Sequence, residues 1–371
     1  MSLEENIRNI RYETISMEYL YAGLVLQEDI CSSGGNLLVA KGVTLTETMI
    51  ERLRNLTDSK DSIRVSAKLR EELLARGTPQ KFKQQYLENR TGYTKVTGET
   101  KKLITIAQVT NHVPYDQVCD IGDLVLDRIK ITDPALLFQC INGNNEIDEY
   151  LFRHSTNVAI INGLMGKWLG LDTIEIENLV ILGLVHDIGK TRIPSDILNS
   201  PNKLSFEEFE VVKKHTVHSY DMLNANKNFS DLIKKAALHH HEKMNGTGYP
   251  DHLMTDDIPF FSKITSISDI YDAMVSQRCY KIAQSPFRVL RQMQTEQFSG
   301  LDMKLVNLFN EQMPQELIGK STLMSNGAIG IVRHINDNNI EFPIVDINGE
   351  TVMTNNYLYC ISMIIDDNEA I

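Results

Sequence analysis

Apolar residues follow different rhythms in different parts of this 371-residue chain. From about residue 101 to 315 they recur every three to four positions, the period of helices with one buried face. Val158, Ile161, Leu164 and Met165 mark one helix, with Gly170 as its stop. Leu179, Leu182 and Val185 mark the next, and Ser205 with Glu208 forms a capping box that opens another. Ser230 caps a further helix whose stripe runs Ile233, Ala236, Ala237, His240 and His241. Ile264, Ile267, Tyr271 and Met274 define one more, and Ser285 before Pro286 signals a helix start.

Outside this block the rhythm changes. Residues 1–65 read as a small α/β module. It has short strands at Leu24–Leu26 and Leu37–Val39, and a turn through Ser32–Asn36. A helix capped by Thr44 or Thr46 follows, with Ile50 and Leu53 on its buried side. Residues 66–119 are rich in Lys, Glu, Arg and Gln, and read as a charged, partly helical linker with a solvated face. Residues 120–318 hold the helical central domain. Residues 319–371 carry hairpin signals at Ser325-Asn326-Gly327 and Asn348-Gly349, and read as a small antiparallel β-domain. The fold class expected is therefore mainly α, with an all-helical domain between a small α/β segment and a small β-domain.

A net charge of −12 argues against nucleic-acid polymers and anionic membrane as partners, since both need basic surface. Five cysteines, odd in number and without CxxC spacing, point to a reducing compartment. The acidic start, Met1–Glu5, lacks the order of a signal peptide. No run approaches the roughly 18 apolar residues of a membrane helix. A cytoplasmic protein is expected.

The candidate chemistry is a metal centre. Eight of the ten histidines lie between His154 and His252, interleaved with carboxylates. His186-Asp187 closes an apolar helix and leads into Ile188-Gly189-Lys190. Adjacent residues on a helix point about 100° apart, so both can ligate only if metal lies between them. A carboxylate can bridge two ions. Gly189 permits close backbone approach, and Lys190 brings a cation to a phosphate or a proton to a leaving group. Two imidazoles continuing the core-facing stripe at His240-His241 need buried partners, and a pair of metal ions supplies them. His239 falls off that stripe and reads as a neighbour. Mixed His and Asp donors suit iron or manganese, and zinc as well.

With these residues the chain resembles the HD-GYP subgroup of the HD metal-dependent phosphohydrolases over roughly residues 120–315. The resemblance rests on His154-Ser155 with Val158-Ala159, on His186-Asp187-Ile188-Gly189-Lys190, and on His215. It continues through His240-His241-Glu242, Gly246-Thr247-Gly248-Tyr249-Pro250, Ser268-Asp269 with Asp272-Ala273, and Arg278, Tyr280 and Lys281. It implies an all-helical catalytic domain that hydrolyses cyclic di-GMP to the linear dinucleotide, using water activated between two divalent ions, iron first and manganese second. It implies His154, His186, Asp187, His215, His240, His241 and Asp269 as metal ligands. Lys190, Tyr249, Arg278 and Lys281 become substrate contacts, Asp187 and Lys190 the catalytic pair, and Gly246, Gly248 and Pro250 the structural loop. Three-metal members use a glutamate one turn before the first histidine. Here Tyr150 stands there, with Glu149 beside it and Glu146 further back, so two metals are expected. Asn245 replaces a common aspartate.

Two rival readings remain. One is an HD hydrolase of another phosphoester or cyclic dinucleotide. The other is a cyclic di-GMP sensor with little turnover that signals to protein partners through the flanking domains. A homodimer is a candidate assembly.

Overall fold

The structure is a computed structural model. It describes residues 12–15, 25–26, 29–31, 37–40, 43, 45–46, 49–50, 53 and 63–66 near the N-terminus. It further describes 80–132, 134–142, 150–198, 200, 204–276, 286–295 and 300–324, then 329–335, 340, 342–347, 349–354 and 361–365. The chain divides into two compact units, Met1–Leu87 with Leu317–Ile371, and Glu88–Glu316.

In the first unit, β1 (Tyr12–Ile15), β2 (Val25–Leu26) and β5 (Ile63–Ser66) form an antiparallel sheet in the order β1-β5-β2. β3 (Ile30–Cys31) pairs with β4 (Leu37–Val39). Leu26, Ile30, Leu45, Ile50 and Leu53 are buried together. Thr46 caps the short helical segment, its hydroxyl accepting from Met49 N at 3.3 Å.

The same unit holds a second sheet, in the order β10-β6-β7-β8-β9. Its strands are β6 (Ser321–Met324), β7 (Ile329–His334), β8 (Ile344–Ile347), β9 (Glu350–Met353) and β10 (Ile361–Ile365). The Asn348-Gly349 signal falls between β8 and β9, where Gly349 takes φ 87° and its N–H bonds Asp346 Oδ1 at 2.8 Å. The turns expected at Ser32–Asn36 and Ser325–Gly327 lie outside the described residues.

The second unit is helical among its described residues. Its elements are α1 (Gln80–Thr110, from Glu88 onward), α2 (Tyr115–Ile131), α3 (Pro134–Asn142), α4 (Tyr150–Trp168) and α5 (Thr173–Val185). These are followed by α6 (Phe206–Lys213), α7 (His215–Asn224), α8 (Asp231–His239), α9 (Phe260–Val275), α10 (Pro286–Met293) and α11 (Met303–Gln315). The mainly helical architecture with flanking α/β and β pieces is as expected.

Local chemistry sets the boundaries. Ser205 and Glu208 cap α6 reciprocally, Asp172 and Glu175 do the same for α5, and Ser230 caps α8. Gly170, at φ 68°, ends α4, with Leu171 N bonding Gly166 O and Gly170 N bonding Lys167 O, both at 3.0 Å. α1 shows one charged face, but Tyr93, Val96, Leu103, Ile104 and Ala107 are buried along the other.

Two contacts register the helices that matter most. A Cβ on Gly183 of α5 would lie 2.4 Å from Ala159 Cα of α4, so only glycine allows these backbones so close. Asn162 then donates to Leu179 O and Thr265 Oγ1, both at 3.0 Å, tying α4 to α5 and α9. No helix among the described residues is long and apolar enough to cross a membrane.

Candidate metal centre

The seven residues expected as ligands come from five segments and meet in the core of the helical unit. His154 sits inside α4 and Asp269 inside α9. His186 is the C-cap of α5 and Asp187 follows it. His215 opens α7. His240 is the C-cap of α8 and His241 comes next. The last pair thus lies just beyond the helix rather than on its stripe. There the backbone of His240 is still right-handed, at φ −68° and ψ −12°, and Glu242 N closes the turn on His239 O at 3.0 Å. The two rings lie side by side, their centroids 4.1 Å apart.

Two groups of donor atoms result. Asp187, His215, His240 and His241 form one, and His154, His186 and Asp269 the other, with the donor atoms of each group within 4.8 Å of one another. Asp187 faces both. Its Oδ1 lies 3.2 Å from His215 Nε2 and 3.8 Å from His240 Nε2. Its Oδ2 lies 3.3 Å from His154 Nε2 and 3.4 Å from His186 Nε2. Asp269 spans the groups from the other side, with Oδ1 3.1 Å from His154 Nε2 and Oδ2 3.8 Å from His241 Nδ1.

The tautomers follow from the partners. Nδ1 of His186, His215 and His240 lies 2.9, 2.7 and 2.8 Å from the carbonyls of Gly183, Val212 and Ala237. A carbonyl only accepts, so each Nδ1 carries the proton and each Nε2 a bare lone pair. These three Nε2 atoms are buried and make no hydrogen bond, and neither does Asp187 Oδ1. Buried acceptors aimed at one point are costly without a partner. Five imidazoles and two carboxylates are the donor set for divalent transition metals, so the residues fit such ions.

Charge agrees with this. Burial and then His241 hold the His240 imidazole well below its ordinary value, and burial lowers His241 to about 3, so both are neutral donors at neutral pH. Burial alone would raise Asp187, but Lys190 and His186 hold it well below the usual carboxylate range. Burial would likewise lower His154, but Asp187, Asp269 and Asp272 outweigh it and push it up to about 10 in the protein alone. Such excess proton affinity marks a place for positive charge.

The surroundings are close-packed. Gly189 cannot carry a Cβ, which would sit 2.1 Å from His215 O. Its N–H donates to Ser219 Oγ at 2.9 Å, and that hydroxyl donates to His186 O at 2.7 Å. Lys190 places its ammonium on Asp187 Oδ2. Tyr249 lies over His241, with centroids 4.8 Å apart at 32°. Gly246 takes φ 73°, and Pro250 follows Tyr249 through a cis peptide. A Cβ on Gly248 would meet Glu242 Cα at 2.4 Å. His239 bonds the Lys235 carbonyl and the Asp251 carboxylate, each at 2.9 Å, and joins neither donor group.

Two functional side chains carried no assigned role in the sequence. Buried Glu242 accepts from Asp251 N at 2.7 Å and Leu253 N at 3.1 Å, holding the loop that carries Tyr249. Asp272, one turn beyond Asp269, approaches His154 Nδ1 at 2.7 Å. A carboxylate one helical turn from a candidate ligand is the signal that could have found it. Arg278, Lys281, Glu146 and Glu149 lie outside the described residues, as do the side chain of Tyr150 and with it the question of a third metal.

A buried cluster of imidazoles and two carboxylates, with a lysine beside it, makes a candidate metal centre within a helical unit. Residues 145–305 match the model of the HD domain family, so this segment is similar to that family. The chain is 32% identical over 185 residues to a cyclic di-GMP phosphodiesterase of Pseudomonas aeruginosa, covering 50% of this chain and 44% of that protein. It is 27% identical over 224 residues to a 3'3'-cGAMP-specific phosphodiesterase of Vibrio cholerae, covering 60% of this chain and 42% of that protein. The chain thus spans less than half the length of these curated relatives. In fold it is similar to Bd1817, a HDG"Y"P protein from Bdellovibrio bacteriovorus, at TM-score 0.52 and 14% identity over 82% of this chain and 100% of that one.

Proposed function

We propose that this protein is a metal-dependent phosphodiesterase that hydrolyses cyclic di-GMP to the linear dinucleotide, with residues 120–318 as its catalytic domain. The carrying observation is the convergence of the bare Nε2 atoms of His186, His215 and His240 on the two oxygens of Asp187, with Lys190 and Tyr249 at the edge. His154, His186, Asp187, His215, His240, His241 and Asp269 would hold two ions, iron first and manganese second. Bound there, the ions supply Lewis acidity toward a phosphodiester and lower the pKa of water.

The remaining work belongs to side chains. The Nδ1–H bonds of His186, His215 and His240 keep their Nε2 atoms aimed inward. Lys190 Nζ, held on Asp187, neutralises charge developing on the phosphate and delivers a proton to the leaving ribose 3′-oxygen. Tyr249 offers its ring to the nucleotide. The loop bearing it stays in place because Gly248 fits against Glu242 and Glu242 binds the backbone beyond. Arg278 and Lys281 contact phosphate. The names of the relatives support a cyclic dinucleotide as the substrate class, and the 3'3'-cGAMP enzyme makes that molecule the natural competitor.

The test is anaerobic hydrolysis of cyclic di-GMP and 3'3'-cGAMP by protein loaded with ferrous iron or manganese, with products separated by chromatography. Linear pGpG as the end product supports the proposal. Faster turnover of 3'3'-cGAMP moves the substrate. GMP as the main product overturns the two-metal reading. Binding without turnover replaces the enzyme with a sensor.

A further inference from the structure

His154 is held by a chain of hydrogen bonds that begins on α1, outside the residues 145–305 matched to the HD domain family. Tyr93 of α1 donates its hydroxyl to Asn157 Oδ1 at 2.6 Å. Asn157 Nδ2 donates to Asp272 Oδ1 at 2.6 Å. Ser276 Oγ donates to the same oxygen at 3.0 Å. That leaves Asp272 Oδ2 for His154 Nδ1, at 2.7 Å. Every member is buried, with Tyr93 3%, Asn157 0%, Asp272 0% and Ser276 2% exposed.

Direction runs one way along this chain. Burial, opposed only in part by Arg153, pushes the Tyr93 phenol well above its ordinary value, so it keeps its proton and donates. Donation to Oδ1 fixes which end of the Asn157 amide faces Asp272. A flipped amide would set oxygen against carboxylate. With Oδ1 of Asp272 taken by Asn157 and Ser276, its other oxygen is committed to the imidazole. In a buried interior of low dielectric such linked bonds reinforce one another.

We propose that Tyr93 is a positioning residue for the metal centre, acting through Asn157 and Asp272 to fix the ring plane of His154. The proposal rests on the reading of His154 as a ligand. It makes α1 part of the site, although none of its described residues belongs to either donor group.

Tyr93→Phe tests it, because it keeps the ring that fills the interface and removes only the hydroxyl. Thr100→Val is the matched control. Thr100 and Thr156 share a buried hydroxyl contact of 3.0 Å between the same two helices, and that contact leads to no ligand. Two readouts are taken: Mn2+ affinity by calorimetry, and the 15N imidazole resonances of His154 in chelator-treated protein. The expected result for Tyr93→Phe is about fivefold weaker Mn2+ binding, the fold-change of one lost hydrogen bond, with shifted His154 resonances. Thr100→Val changes neither. Unchanged affinity and resonances in Tyr93→Phe, or equal changes in Thr100→Val, overturn the proposal. The resonance readout needs no metal. A wild-type protein that fails to bind Mn2+ would therefore sink the metal reading while the effect of Tyr93 on the ring is still decided.

Discussion

The histidines of the site are held in two different ways. His186, His215 and His240 each bond a carbonyl three residues back along the chain. His154 bonds Asp272, 118 residues away. The cause is position. His186 and His240 cap helix C-termini, where the last carbonyls lack partners within the helix and accept an imidazole N–H at little cost. His215 uses a carbonyl at the end of α6 in the same way. His154 lies inside α4, where the carbonyls serve the helix's own ladder, so its ring needs an acceptor from elsewhere. Three rings are oriented by local structure, and one is oriented by the tertiary fold.

Removing the group both sets share should have the largest effect. Asp187→Ala is expected to abolish metal uptake and turnover, measured by metal content and product formation. Retention of one full metal equivalent would mean that Asp187 is not common to the two donor groups. Next comes the remote tie. Asp272→Asn should weaken Mn2+ binding by roughly 10–100-fold in a chelator competition, and an unchanged affinity would remove the distinction between the two kinds of histidine. The local side is more robust. Ser219→Ala leaves the His186 O and Gly189 N bonds unmade, and should cost about 1–3 kcal/mol in denaturant melts. Its effect on metal affinity should be only a few-fold, because the bond from His186 to Gly183 O survives.

A further contrast lies in pH dependence, measured by denaturant melts with chelator present. His241 is lowered from 6.5 to about 3, so its contribution is intact above 6.5 and stability falls as pH drops through that window. His154 is raised from 6.5 to about 10, so its contribution is full below 6.5 and is lost as pH rises toward 10. His241→Asn should flatten the acid limb and Asp272→Asn the alkaline limb. One variant flattening both limbs would contradict the separation.

Much of the helical unit was legible because its signals are local. Ser205, Glu208, Ser230 and Gly170 act within a few residues of themselves, and each acts where the sequence placed it. His186-Asp187 and His240-His241 stood out because imidazoles and carboxylates are rare at the end of apolar stripes, and the family resemblance implied the full set of seven. What could not be read involves distant pairs. Nothing near Asn157 or Tyr93 announces a link to Asp272, since that link exists only once α1, α4 and α9 are packed. The buried face of α1 was hidden by dilution, with Tyr93, Val96 and Leu103 spaced among many charged residues. Gly183 and Glu242 were hidden for a related reason, as the sequence cannot show what backbone lies beside them.

The separation between His154 and Asp272 also bears on biosynthesis. The 118-residue step from one to the other takes the ribosome on the order of ten seconds to add. Throughout that interval α4 has emerged, but the carboxylate that orients its histidine has not been made. His186, His215 and His240 acquire their orienting carbonyls as they are synthesised. A nascent chain arrested before α9 should thus hold three prepared imidazoles and one unprepared, and full metal loading belongs to the time after α9 has joined the fold.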